Sequence, residues 1–299
     1  MSEINLNLLR DLKDLKNLNK ENNTFDVICK PPFPWVGGKS RIVNKILHEL
    51  PYKSKYIEPF GGSGIVLLNR SESNIEVFND RHSGIVDFYK CLRDKELLLK
   101  LEEYINLLTY SREDFLICKN TWENTDDVVE RAAKWYWSIF TSFSGLGRNF
   151  GRPLKAIRSS SIISKINNKF KLFWDINNRI KNVILENQDW RELVNSYDST
   201  DAVFYLDPPY IDCYAGTYKY SFKDSDHISM LNTVFTMDSF VAVSSYDNDI
   251  YNSYNWSRII EMDSFVTMHR QIESGHNNKT HMAHLHREIN TKEMLYIKE

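Results

Sequence analysis

Asp207-Pro208-Pro209-Tyr210 is the stretch of this chain best suited to chemistry. An acid, two carbonyls on rigid prolines and an aromatic ring stand within one tetrapeptide. Asp207 can accept a hydrogen bond from an amine, and the Pro208 carbonyl can accept a second N–H from the same nitrogen. Tyr210 offers a face on which a planar ring can stack. An exocyclic amino group on a heteroaromatic ring is a poor nucleophile because its lone pair is delocalised. Two acceptors aimed at its hydrogens favour a pyramidal nitrogen with a localised pair, a charge distribution found mainly in the transition state. The tetrapeptide therefore suits chemistry on a nucleobase or amide nitrogen. The plainer alternative is a strand-ending turn with an aromatic plug.

The surrounding pattern predicts how the tetrapeptide is held. Asp201 to Leu206 is a short apolar, β-branched and aromatic run that reads as a buried strand. The prolines end it, since neither can donate a ladder hydrogen bond. In open α/β sheets the carboxyl end of a strand is where ligands bind. Two earlier segments read the same way. Tyr56 to Phe60 predicts a first strand, followed by Gly61-Gly62-Ser63-Gly64 and a helix from Ile65. Glycines there let a ligand approach the backbone and the helix N-terminus. Ile75 to Phe78 predicts a second strand ending at Asn79-Asp80. An acid at that point can hold a ribose hydroxyl pair or cap the helix that starts near Ser83. Further strands are expected at Val183–Glu186, Phe240–Ser244, Ile259–Glu261, Phe265–Met268 and Met294–Ile297. Upstream, Pro31-Pro32-Phe33-Pro34-Trp35-Val36-Gly37-Gly38-Lys39-Ser40 precedes a helix running to Leu50. Its GKS ending is not a phosphate-binding P-loop, because Phe33 stands where the first glycine belongs.

Between Asp94 and Lys181 the sheet pattern stops. Val128, Val129, Ala132, Trp135, Tyr136, Ile139, Phe140 and Phe143 mark one strong helix whose aromatics belong to a core. A glycine-punctuated loop follows, from Ser144 to Pro153. Arg148, Arg152, Lys155, Arg158, Lys165, Lys169 and Lys171 succeed one another without an acid between them. Together with Asn149 and Phe150 they suit phosphate contacts and groove insertion.

Composition bounds the reading. The chain has 299 residues, 42% of them hydrophobic, and a formal net charge of −2, so any nucleic-acid contact must come from a local basic face. The four cysteines are scattered, which suits a reducing cytoplasm and argues against a zinc module. No signal peptide or membrane span is expected. The histidines from His269 to His286 fit no standard metal site, so no metal is expected; a loop lying against nucleic acid suits them better. Residues 1 to 24 read as a short amphipathic helix and linker, which leaves room for a weak homodimer.

PFPWVGGKS, YIEPFGGSG, FND and LDPPY, in that order, resemble the Dam-type DNA adenine-N6 methyltransferases in the α arrangement of motifs. The resemblance covers roughly residues 31 to 299, and the Asp226-His227 helix, Val243-Ser244-Ser245-Tyr246 and the terminal TKEMLYI share it. It implies an α/β fold: a Rossmann-like methyltransferase sheet, mostly parallel with an antiparallel C-terminal strand, plus an inserted helical target-recognition domain. Residues 1–30 would be an extension and linker, 31–93 and 182–299 the catalytic domain, and 94–181 the insert. It also implies S-adenosylmethionine as cofactor and double-stranded DNA as partner, in the cytoplasm of a bacterium or phage-infected cell. Trp35, Gly38 and Lys39 match cofactor contacts, as do Glu58, Phe60, Gly61, Gly62 and Gly64 around the methionine part. Asp80 matches the ribose acid, Asp189 a contact to the cofactor adenine, and Asp207, Pro208 and Tyr210 the catalytic set, with Asp207 also near the cofactor. The segment FSGLGRNFGRPL matches the recognition hairpin of GATC-methylating members only in part. Rival readings keep the fold and change the acceptor to a cytosine, RNA or glutamine amide nitrogen. Another is a catalytically idle DNA-binding protein that blocks sites.

Overall fold

Short β-branched and aromatic runs separated by helical ones dictate a parallel sheet, since parallel neighbours need a crossover between them. The computed structural model describes residues 29–151, 160–211, 222–262 and 292–299. Five strands run parallel: β1 (Lys55–Glu58), β2 (Ile75–Asn79), β3 (Ile184–Glu186), β4 (Ala202–Leu206) and β5 (Phe240–Tyr246). Two more follow, β6 (Arg258–Met262) and β7 (Glu293–Lys298). β7 is wedged between β5 and β6 and antiparallel to both. The order across the sheet is β3-β2-β1-β4-β5-β7-β6. From β1 the chain winds outward to β3, then returns to lay β4 on the other side. The crevice between the carboxyl ends of β1 and β4 is the place such a sheet leaves for a ligand.

Every residue of β4 is buried, as expected of a central parallel strand covered on both faces. Alternation divides them: Val203 and Tyr205 join one core, Ala202, Phe204 and Leu206 the other. The first core lies under α1 (Val43–Glu49), α2 (Ile65–Asn69) and α3 (Ser83–Arg93). The second lies under α8 (Trp190–Tyr197), α9 (Asp224–Val234) and α10 (Asp249–Asn252).

The stretch after Asp94 is helical: α4 (Lys95–Leu107), α5 (Arg112–Thr121), α6 (Val128–Phe140) and α7 (Ser160–Ile180). Asp94, Ser111 and Asp127 cap the first three by accepting backbone N–H groups, each contributing about 1 kcal/mol. Trp135, Tyr136 and Trp137 of α6 are buried, as expected of core aromatics. Trp135 packs on α3 at Gly84, where any Cβ would stand 2.4 Å from the indole. From α7, Arg179 reaches the sheet and grips buried Glu76 of β2 with two hydrogen bonds of 2.6 and 2.8 Å.

Local expectations are corrected in three places. Pro59 stops β1 at Glu58, so Phe60 is outside the strand. The long aromatic helix ends at Phe140, and Phe143 lies in a 3-10 turn (Phe143–Gly145) with 65% of its surface exposed. Asp80 is not the N-cap of α3; His82 is, and Asp80 accepts the His82 N–H instead. The strand expected at Phe265–Met268, the histidines His269 to His286 and residues 1 to 24 lie outside the described residues. No described helix is long and apolar enough to cross a membrane.

Candidate active site

A cleft of about 190 Å³ opens at the carboxyl ends of β1 and β4. Its floor comes from the turn after β1. Gly61 fits only because it lacks a side chain: a Cβ there would stand 2.2 Å from the Phe78 ring. Gly64 takes a left-handed φ of 65° at the start of α2, where a Cβ would meet the Tyr89 hydroxyl at 2.6 Å. The backbone is thereby pressed into a smooth cradle with Glu58, Phe60, Gly61, Gly62 and Ser63 on the cleft wall.

The acids around this cradle are held by backbone. Asp80 accepts the N–H of Gly62 at 2.9 Å and of His82 at 2.7 Å, tying the first turn to the end of β2. Burial pushes its carboxyl up to about 6, and the two N–H donors pull it back. Glu58 is buried and accepts the Tyr56 hydroxyl at 3.2 Å and the Leu67 N–H at 3.1 Å. Burial nonetheless raises it to about 8, with Asp207 adding repulsion. Asp189 caps α8 and pairs with Arg191, whose guanidinium also reaches Asp226 across the rim.

The other wall carries the tetrapeptide. The ammonium of Lys39 is buried and lies 2.7 Å from Oδ2 of Asp207. It also donates to the Gly37 carbonyl at 2.6 Å and stands 4.8 Å from the centre of the Tyr210 ring. Oδ1 of Asp207 is buried and has no hydrogen-bond partner among the described residues. Burial lifts this carboxyl to about 6 against the pull of Lys39, and Glu293 adds a smaller repulsion. Behind it the Tyr210 hydroxyl donates to Oε1 of Glu293 at 2.7 Å, while its ring packs edge-on against Tyr246. Beneath the prolines lies His227, fully buried, its Nδ1 2.9 Å from the Tyr251 hydroxyl. Burial lowers its pKa to about 4, so the imidazole is neutral around pH 7.

Of the residues expected here, Trp35, Gly38, Lys39, Glu58, Phe60, Gly61, Gly62, Asp80, Asp189 and Asp207 line one cleft. Gly64 stands just behind it. Pro209 lines it, whereas Pro208 and Tyr210 do not, and Tyr210 is buried. His82, Gln188, Arg191, Phe222 and Asp226 also line the cleft. Sequence reading did not single them out as site residues, because each comes from an ordinary turn or helix start and only folding gathers them.

None of the described residues of the basic loop lines the cleft. Arg148 and Asn149 are exposed on a narrow turn closed by a bridge between Ser142 and Phe150. Lys119 of α5 holds the Arg148 carbonyl at 2.7 Å. Phe150 is tucked against Tyr110 and Phe115, so the outward-facing aromatic of this turn is Phe143. Ser144 beside it is the only described non-glycine residue with a left-handed φ, 57°. Lys169 turns inward to the Pro31 carbonyl, and burial lowers its pKa to about 8. Arg152, Lys155 and Arg158 lie outside the described residues. Among the described residues no three His, Cys, Asp or Glu side chains gather to hold a metal.

The family model described as D12 class N6 adenine-specific DNA methyltransferase matches residues 35–268. The Type II methyltransferase M.MjaIII of Methanocaldococcus jannaschii is 26% identical over 77% of this chain and 91% of its own length. The Type II methyltransferase M.CviBI of Paramecium bursaria Chlorella virus NC1A is 20% identical over 89% of this chain and 98% of its own. A DNA adenine methylase of Serratia marcescens is 22% identical over 74% and 84%.

Proposed function

This chain belongs to the D12 class N6 adenine-specific DNA methyltransferases, and on that premise we propose that it methylates a flipped adenine at a specific DNA site with S-adenosylmethionine as donor. The observation that carries the proposal is Oδ1 of Asp207, buried, without a partner among the described residues, on a side chain that lines the cleft. An unpaired buried acceptor costs about 1–3 kcal/mol, a cost that an incoming N–H offsets.

The residues present fit the cofactor. A Cβ at Gly61, Gly62 or Gly64 would meet Phe78, Trp35 or Tyr89, so this turn brings bare backbone to the cleft wall, where the carboxyls of Glu58 and Asp80 also stand. Glu58 and the glycines would hold the amino-acid end, Asp80 the ribose, and Trp35 and Asp189 the walls around the base. When bound, S-adenosylmethionine supplies a methyl group on positively charged sulfur to an attacking nitrogen.

The protein's own part is orientation. Asp207 accepts one N–H of the adenine amine and the Pro208 carbonyl the other, which favours a pyramidal nitrogen with its lone pair free. The flipped ring stacks beside Tyr210, which Glu293 and Tyr246 hold in place. The amine proton released on methylation can pass to Asp207, which burial has already made a better base. Residues 94–181 act as the target-recognition insert, with Arg148, Asn149, Arg152, Lys155 and Arg158 on DNA phosphates and bases and Phe150 bracing the turn. Tritium transfer from labelled S-adenosylmethionine to DNA tests the reading. Wild-type protein should label adenine, and Asp207→Ala should abolish labelling while DNA affinity stays within about threefold. Near-wild-type turnover by that variant would refute the assignment.

A further inference from the structure

Glu293 has no part in the mechanism above beyond steadying a ring, yet it is a nearly buried carboxylate at the start of β7. Pairing with Tyr246 at the end of β5 places it beside the tetrapeptide. Its Oε1 takes the Tyr210 hydroxyl at 2.7 Å and stands 3.5 Å from the Lys39 ammonium. A buried carboxylate and a part-exposed one thus flank one cation, and the phenol pairs with the buried one. Asp207 Oδ2 has the nearer share of Lys39 at 2.7 Å, and Oδ1 has no partner among the described residues.

We propose that Glu293 is a positioning residue that works as a decoy acceptor: it draws the Tyr210 hydroxyl to itself and so keeps Oδ1 of Asp207 open for the substrate amine. The inference rests on the methyltransferase reading and adds a residue to its machinery. A buried phenol must find an acceptor, because leaving its O–H unpaired costs about 1–3 kcal/mol. The Tyr210 hydroxyl is close enough to Asp207 to help stabilise its carboxylate. Without Glu293 the phenol therefore turns to Asp207 and fills the oxygen that catalysis needs.

The test separates a decoy from a simple strut. Glu293→Gln keeps an acceptor for the phenol and loses only charge, so kcat should stay within about threefold of wild type. Glu293→Ala releases the phenol, so kcat should fall at least about tenfold with the KM for DNA unchanged. In a Tyr210→Phe background the same alanine substitution should cost nothing further, since no hydroxyl remains to intrude. Both Glu293 variants remove a negative neighbour of Asp207, so the acidic limb of the kcat profile should move to lower pH. A readout independent of turnover is the NMR titration of the Asp207 carboxyl carbon in protein with 13C-labelled aspartate, assigned with Asp207→Asn. Its midpoint should fall in Glu293→Ala. An unmoved midpoint overturns the inference even if the wild-type protein transfers no methyl group. So does a Glu293→Ala loss that persists in the Tyr210→Phe background, or one equalled by Glu293→Gln. A wild-type protein that labels no adenine instead refutes the broader reading.

Discussion

Lys39→Met removes the ammonium beside Asp207 while keeping most of the unbranched side chain. The two charges are 2.7 Å apart in a site where Lys39 is 4% and Asp207 20% exposed. Coulomb's law at an effective dielectric of about 20 gives roughly 6 kcal/mol for such a pair, an upper bound. Removing one partner of a buried pair costs about 3–5 kcal/mol in practice. Taking about 3 kcal/mol as the loss felt by the carboxylate, its pKa rises by roughly 2. The Asp207 carboxyl, already lifted to about 6, would then titrate near about 8. If catalysis needs the carboxylate, single-turnover transfer at pH 7 should fall about tenfold and recover by about pH 9. The assay is tritium transfer between pH 5 and 10 at saturating cofactor and DNA. An acidic limb that stays within about half a pH unit of wild type would refute the reasoning. A weaker affinity for S-adenosylmethionine with an unmoved limb would make Lys39 a cofactor contact alone.

Glu58→Gln tests the burial of the neighbouring acid. The folded protein holds the Glu58 proton up to about pH 8 against an ordinary 4.5, so the stability linked to this group is full below about 4.5 and is lost as pH rises through 8. The amide should therefore stabilise the protein above pH 8, by up to about 3–5 kcal/mol in urea denaturation, and leave it unchanged at pH 5. Arg179→Met strands Glu76, buried and otherwise 3.6 Å from Arg70, and should lower stability by about 3–5 kcal/mol; Glu76→Gln in the same chain should recover part of that. In the basic turn, Phe150→Ala should cost about 3 kcal/mol, whereas Phe143→Ala should leave the melting temperature unchanged and weaken DNA binding. Arg148→Ala should lower the salt slope of DNA binding by about one, measured by fluorescence anisotropy.

The residues that line the cleft were marked locally in this sequence, and so was much of the sheet. A strand closed by two prolines can only present Asp207 at its end, and a glycine run between strand and helix can only make a cradle. Such features rest on backbone sterics and hydrogen-bonding capacity, which travel with the residue. The described strands were legible for the same reason, with ends shifted by one or two residues, as where Pro59 closes β1. What a side chain meets from distant parts of the chain was not legible. Nothing in FSGLGRNFG tells that Phe150 packs inward on Tyr110 and Phe115 while Phe143 faces out; the partner surface on α5 decides it. Lys39 comes before β1, Asp207 follows β4 and Glu293 begins β7, and only the strand order brings the two acids within 3.5 Å of the Lys39 ammonium. Whether Asp207 keeps one oxygen free is set by that meeting of charges in a buried place, a property of the fold that no short stretch of sequence contains.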